Sequence, residues 1–262
     1  YAWMRGVGDL PSDESYYKHF NSGWTGGRDM LTMILNAKGR EIVHGTPLSY
    51  NWLCAGWPRK QDGLGDLTVY LGYLKVLYTT GMVGANAGYY AYPKGGFDEP
   101  FNADKPPHWL RQMLALGRAH AFFSWLEPFL REGDLLPGPQ AHVWSRDQPA
   151  YEFPTGGKDV RVVARKLRNH PHWLVTAWAA GGEARAATVA IPMLGEVTLQ
   201  ARPAGSVYHA WRVGDETKLA LLDPEAAQPT INANPLAALH RRLERLLRNG
   251  TQTSVDDKDT RK

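Results

Sequence analysis

Apolar and aromatic positions along the first part of the chain recur in three similar units. Each is an apolar run, then a Gly/Pro-rich polar loop, then a helix-spaced stripe. The first unit opens with Tyr1-Ala-Trp-Met-Arg and enters a helix near Gly27 that stops at Gly39. The second opens with Glu41-Ile-Val-His-Gly-Thr. It leads to the clearest stripe in the chain, Leu67, Tyr70, Leu71, Leu74, Leu77 and Tyr78, behind an Asp66 N-cap and ahead of Gly81. The third opens with Met82-Val-Gly-Ala-Asn-Ala-Gly-Tyr-Tyr-Ala-Tyr and continues into one long helix from about His108 to Arg131. Strand, loop and helix in repetition predict βα units and a parallel sheet.

After Gly133 the period changes. Leu135-Leu-Pro-Gly-Pro breaks the chain, and short alternating runs follow. They are Val160–Lys166, Trp173–Ala179, Ala187–Ile191, Glu196–Ala201, Gly205–Trp211 and, as a final candidate, Lys218–Leu222. This pattern predicts an antiparallel sandwich or sheet, of which the sandwich is preferred. From Ala226 a Pro-broken start leads to a short basic amphipathic stretch (Leu236, Leu239, Leu243, Leu246, Leu247) and a polar end expected to be disordered. The expected organisation is therefore 1–134 as the last three or so βα units of a TIM (β/α)8 barrel, 135–225 as the sandwich, and 226–262 as a basic, largely disordered tail. The fold class is α/β plus all-β. No Gly-x-Gly-x-x-Gly follows any run, which turns the choice from a doubly wound sheet to a barrel.

Composition narrows the function. The chain has 262 residues, 43% hydrophobic and 21% charged, which excludes wholesale disorder. One cysteine, Cys54, excludes an intrachain disulfide framework and a cysteine-based zinc site; it reads as an ordinary buried thiol. No apolar run reaches the roughly 18 residues of a membrane span. Basic residues number 30 and acidic residues 26. Much of that excess lies beyond Leu236, so the body is near neutral and offers no broad nucleic-acid surface. The chain opens on Tyr1 in strand-like sequence, as the downstream part of something longer would. Such a fragment is expected to self-associate through open sheet edges and to lack glycosidase activity alone.

Ten tryptophans set the candidate chemistry. Trp52, Trp57, Tyr90 and Tyr92 fall in or near the loops after the apolar runs, among Gly and polar residues. Flat rings pack the C–H face of a sugar, and neighbouring polar groups bind its hydroxyl rim. Glycoside hydrolysis adds a pair of carboxyls. Asp9, in Arg5-Gly-Val-Gly-Asp, and Asp98, in Lys94-Gly-Gly-Phe-Asp-Glu, are the preferred catalytic candidates, each beside a Gly-bearing turn. Asp13, Glu14, Asp62, Glu99 and Asp104 are the other loop acids. Arg5 either holds a catalytic carboxylate ionised or makes a structural ion pair. His44 either bonds across the mouth of the site or fills a polar core slot. His170-Pro-His172 lacks a third ligand nearby and reads as a turn rather than a metal site. No metal or cofactor is called for.

Three stretches resemble the C-terminal part of glycoside hydrolases built as a (β/α)8 barrel with an appended sandwich. Gly84-Ala-Asn-Ala-Gly-Tyr-Tyr-Ala-Tyr-Pro resembles a last barrel strand opening on a cleft. His108-Trp-Leu-Arg-Gln-Met-Leu-Ala-Leu-Gly-Arg resembles the final barrel helix. Leu174-Val-Thr-Ala-Trp-Ala-Ala-Gly-Gly with Ala204-Gly-Ser-Val-Tyr resembles the terminal sandwich. The resemblance covers roughly residues 1–212. It implies a carbohydrate-active enzyme that hydrolyses glycosidic bonds in an oligo- or polysaccharide, with no nucleic-acid or membrane partner. A secreted or periplasmic full-length protein would suit that reading. The large retaining clan of this shape places a Glu at the end of strand seven, but His44-Gly-Thr-Pro-Leu-Ser-Tyr-Asn-Trp has none. No catalytic residue is therefore carried over. The alternative is a non-catalytic carbohydrate-binding or scaffold protein.

Overall fold

A computed structural model describes residues 12–16, 49–54, 67–87, 117–140, 151–156, 159–180, 182–222 and 235–256. In chain order the elements are β1 (Ser12–Tyr16), β2 (Ser49–Cys54), α1 (Leu67–Thr79), β3 (Met82–Ala87), α2 (Glu127–Glu132) and β4 (Gly133–Leu135). Then come β5 (Val160–Leu167), β6 (His172–Ala179), β7 (Arg185–Ile191), β8 (Gly195–Ala201), β9 (Ser206–Val213), β10 (Glu216–Leu222) and α3 (Pro235–Asp256). Residues 117–124 are also helical, just ahead of α2.

Three sheets form. β1-β2-β3 is parallel. β10-β9-β6-β5-β4 is a five-stranded antiparallel sheet, and β7-β8 is an antiparallel hairpin. The five-stranded sheet organises the described residues. On one face β5, β6 and β9 present Val163, Leu167, Leu174, Trp178 and Val207 to the helices. On the other, Val162, Ala164, Trp173, Val175, Tyr208 and Ala210 meet Val189, Ile191, Val197 and Leu199 of the hairpin. Alternation along each strand sorts these two sets, as the pleat requires.

This architecture overturns the expected barrel and sandwich. The described residues are mostly antiparallel β with few helices, and no barrel alternation of strand and helix is evident. The physical reason lies in what the helices cover. α1 follows β2 and precedes β3, yet it packs above all on β6, and also on β5 and β3. Residues 71–81 are all buried, including Tyr73 and Val76, which lie off the sequence stripe. A helix buried on all sides is a core helix, and α1 takes even Lys75 inside. Likewise Phe122, Phe123, Leu126, Phe129 and Leu130 join the same core. The antiparallel sheet thus takes the helices that a barrel would have spent on its parallel strands. One face of that sheet is covered by helices and the other by the two-stranded β7–β8 hairpin instead of a full second sheet.

Finer expectations also shift. The first two apolar runs, 1–5 and 41–46, lie outside the described residues; the strands described nearest to them are Ser12–Tyr16 and Ser49–Cys54. The expected continuous helix to Arg131 breaks at Trp125-Leu126, where Pro128 enters the first turn of α2. Proline has no N–H and its ring collides with the carbonyl four residues back. The short basic stretch near the C-terminus is a 22-residue helix, α3, whose Leu236 and Leu243 are buried in the helix-side core.

Gly72 and Gly205 let α1 sit tight on the sheet. A Cβ on Gly72 would come within 2.2 Å of Trp178 Cδ1 and 2.3 Å of the Pro203 carbonyl oxygen. Gly205, at φ 70°, would place its Cβ 2.9 Å from Gly72 Cα. Between them Lys75, itself buried, donates from Nζ to the Gly205 carbonyl at 2.9 Å.

Candidate functional site

Of the residues singled out in the sequence, Arg5, Asp9, His44, Trp57, Tyr90, Tyr92 and Asp98 lie outside the described residues. Trp52 is described at the level of its backbone, in β2, and its register is informative. Trp52 pairs with Glu14 of β1 and with Asn86 of β3. One cross-strand row therefore holds a carboxyl-bearing, an indole-bearing and a carboxamide-bearing residue at neighbouring strand positions, with strands about 4.8 Å apart. The next rows are Asp13–Asn51–Ala85 and Ser15–Leu53–Ala87. Asp13 and Glu14 are consecutive, so they belong to opposite faces of the sheet. Because the strands are parallel and adjacent, the chain leaves Tyr16, Cys54 and Ala87 at the same sheet edge. Trp57 follows Cys54 closely, and Tyr90 and Tyr92 follow Ala87 closely. Glu14 was weighed as a loop acid; the structure makes it a strand residue beside Trp52.

A second polar constellation is built into the antiparallel sheet. His172 opens β6 and His209 lies in β9, both on the helix face, and both are buried. Their rings stack at 5.1 Å and 6°, with His172 Nδ1 2.9 Å from His209 Nε2. Trp211 stacks on His209 at 4.8 Å, and Phe129 meets it edge-on at 6.0 Å. One ring nitrogen donates and the other accepts, so at least one ring must be neutral; two imidazolium rings would set N–H against N–H. Burial pushes His172 down to about 4, helped by the charges of Arg242 and His170. Burial pushes His209 down to about 3, helped by His172 and Arg242. His170-Pro-His172, read as a turn, thus delivers a buried strand histidine whose partner His209 the sequence reading did not single out. Inward alternation in Ser206-Val-Tyr-His-Ala-Trp was the available signal.

Arg165 is the other polar residue missed. It is 0% exposed and lies in β5. Nε donates to the Phe129 carbonyl at 3.0 Å, Nη2 to Gly133 at 2.6 Å and to Leu130 at 3.3 Å, and Nη1 to Thr79 at 3.5 Å. These acceptors are the last carbonyls of α1 and α2, where helix ends carry partial negative charge and lack internal partners. Burial lowers the guanidinium to about 10, so it stays charged at neutral pH. Thr79 and Thr176 exchange a hydroxyl hydrogen bond at 2.6 Å on the same face. These contacts hold helices to sheet.

Among the described residues no group of three or more His, Cys, Asp or Glu could hold a metal ion, and no helix is long and apolar enough to cross a membrane. Comparison with protein-family models, with curated proteins and with solved structures found no match.

Proposed function

We propose that this chain recognises an oligo- or polysaccharide through the parallel strands and the segments that leave their common edge. The observation that carries the reading is the register row Glu14–Trp52–Asn86. A sugar ring needs a flat aromatic surface for its C–H face and acceptors and donors for its hydroxyls, at spacings of one strand to the next. In sequence Trp57 comes three residues after Cys54, and Tyr90 and Tyr92 come three and five residues after Ala87, which adds aromatic residues to the segments after these strands. Support comes from residue chemistry and strand order, with no part drawn from a barrel.

Binding is the better supported half of this reading. Hydrolysis needs two carboxyls facing one bond, and this row holds one, Glu14. Asp98, in the segment after Ala87, is the candidate second carboxyl of a hydrolytic version. The test is calorimetry and affinity electrophoresis of the full chain against a polysaccharide panel, with Trp52→Ala and Trp57→Ala. The expected outcome is binding to at least one glycan, weakened roughly tenfold by each substitution, about 1.4 kcal/mol, with Tm nearly unchanged. Absence of binding across the panel, or a Trp52→Ala chain that loses stability while binding normally, refutes the reading. Reducing-sugar release abolished by Glu14→Gln or Asp98→Asn would move the conclusion from binder to hydrolase.

A further inference from the structure

Four large hydrophobic residues are exposed among those described, and they gather around one edge of the five-stranded sheet. Leu219 (37% exposed) and Leu221 (39%) are in β10, Val213 (59%) closes the β9–β10 hairpin, and Met193 (59%) is at the tip of the β7–β8 hairpin. That tip abuts β10, because Thr217 Oγ1 donates to the Leu194 carbonyl at 3.2 Å. β10 is the terminal strand of its sheet, and no described strand pairs with its outer side. It contains no proline and its register with β9 runs without a bulge from Glu216–Val213 to Leu222–Val207. Among the described residues no partner strand, proline or bulge protects this edge; its charges, Glu216 and Lys218, are paired with each other.

The hairpin geometry says which backbone groups are open. β9 and β10 are joined by the two-residue loop Gly214-Asp215, with Gly214 at φ 60° as primed hairpin turns require. Such a loop is closed by a hydrogen-bonded pair, here Val213 and Glu216. The pairing alternates from there. Glu216, Lys218, Ala220 and Leu222 direct their N–H and C=O groups to β9, and Thr217, Leu219 and Leu221 direct theirs outward. The three outward residues are centred on Leu219, the midpoint of the strand.

We propose that β10 pairs antiparallel with β10 of a second copy of this chain, about a two-fold axis through Leu219, to form one continuous ten-stranded sheet. In that register Leu219 faces Leu219 of the partner, and Thr217 faces the partner's Leu221. All the outward N–H and C=O groups of the three residues find partners. Leu219 and Leu221, with Met193 beside Thr217, leave water on the same face. The charges agree. Lys218 faces the partner's Ala220 and Glu216 faces the partner's Leu222, so no like charges stand directly opposite, and each Lys218 is already paired to its own Glu216. A heterologous peptide would satisfy the backbone, but it would not explain why the open positions are symmetric about the strand's own centre. One strand pair is a small interface, so the dimer is concentration-dependent.

The experiment is sedimentation equilibrium of the full chain from 1 to about 200 µM, with circular dichroism as a check on folding. Wild type is expected to dimerise. Leu219→Lys and Leu219→Glu each set like charges face to face across the axis and are expected to weaken dimerisation at least tenfold while keeping the wild-type spectrum. An equimolar mixture of the two variants is expected to recover the dimer, since residue 219 then faces its opposite charge. A monomeric wild type at 200 µM overturns the proposal. So does a dimer indifferent to both substitutions, or a mixture that stays monomeric. Binding of an unrelated extended peptide to a monomeric wild type would assign the edge to another partner and likewise overturn it.

Discussion

The stacked pair His172–His209 makes the chain's stability depend on pH in a window where carboxylates are still ionised. In the unfolded chain each imidazole takes up a proton near pH 6.5. In the fold both are held neutral, down to about 4 for His172 and about 3 for His209, by burial and by the nearby cation of Arg242. The folded state therefore binds fewer protons than the unfolded state between these limits. Stability is fully present above pH 6.5 and is lost as pH falls toward the folded values. Each imidazole costs up to about 1.4 kcal/mol per pH unit in that range. Lowering the pH from 7.5 to 5 then removes about 2 kcal/mol per ring and about 4 kcal/mol for the pair, against a total of about 5–15 kcal/mol for an ordinary domain. Urea unfolding at pH 7.5, 6.5, 5.5 and 5.0, followed by tryptophan fluorescence, measures the slope. His172→Asn combined with His209→Gln replaces both rings with groups that do not titrate. Its stability at neutral pH is expected to be lower, but its pH slope between 6.5 and 5 should lose most of the wild-type value. The remaining histidines contribute to both chains and cancel. Equal slopes in the two proteins would refute the buried neutral pair as the source, as would a wild type whose stability is flat from pH 7 to 5.

Gly72→Ala forces a methyl into Trp178 and the Pro203 carbonyl; overpacking of this kind lowers stability by about 1–3 kcal/mol, read as a drop in urea midpoint at unchanged m-value. Arg165→Met keeps the side-chain volume but strands the carbonyls of Phe129, Leu130 and Gly133 without a donor. Each orphaned buried acceptor costs about 1–3 kcal/mol, so this variant is expected to unfold at a far lower urea concentration than wild type. A small change would show that water reaches those helix ends.

The sequence made some levels of this fold readable and hid others. Val160–Leu222 was legible because its strands alternate and are punctuated by residues such as Asn169, Gly195 and Gly214, which take positive φ at their turns. The α1 stripe was equally plain. Its partner was not, because a period of 3.6 shows that a face is buried without showing against what. Three βα-like runs therefore suggested a barrel, whereas α1 and residues 117–132 pack with the antiparallel sheet. Arg165 hid in Val160-Arg-Val-Val-Ala-Arg-Lys-Leu as one more alternating polar residue. Only the arrival of two helix ends over β5 gives a buried guanidinium its acceptors. At the candidate site, Trp52 was readable as an aromatic in a polar setting. Its pairing with Glu14 and Asn86 depends on register between strands far apart in sequence, which no local pattern encodes.

These two parts of the molecule are mechanically joined. α1 ends at Thr79, Thr80 and Gly81 continue as a turn, and β3 starts at Met82, carrying Asn86 of the candidate row. The end of α1 is fixed from three directions. Thr79 is hydrogen-bonded through its hydroxyl to Thr176 of β6, its carbonyl accepts from Arg165 of β5, and Gly72 one face back is locked against Trp178. A close-packed core transmits a displacement instead of absorbing it. The start of β3 is therefore set by the antiparallel sheet, and β3 in turn sets the height at which Asn86 meets Trp52. This explains why a helix lying between two parallel strands spends its apolar surface elsewhere. By docking on β5 and β6, α1 ties the strand that carries Asn86 to the most extensively packed sheet among the described residues.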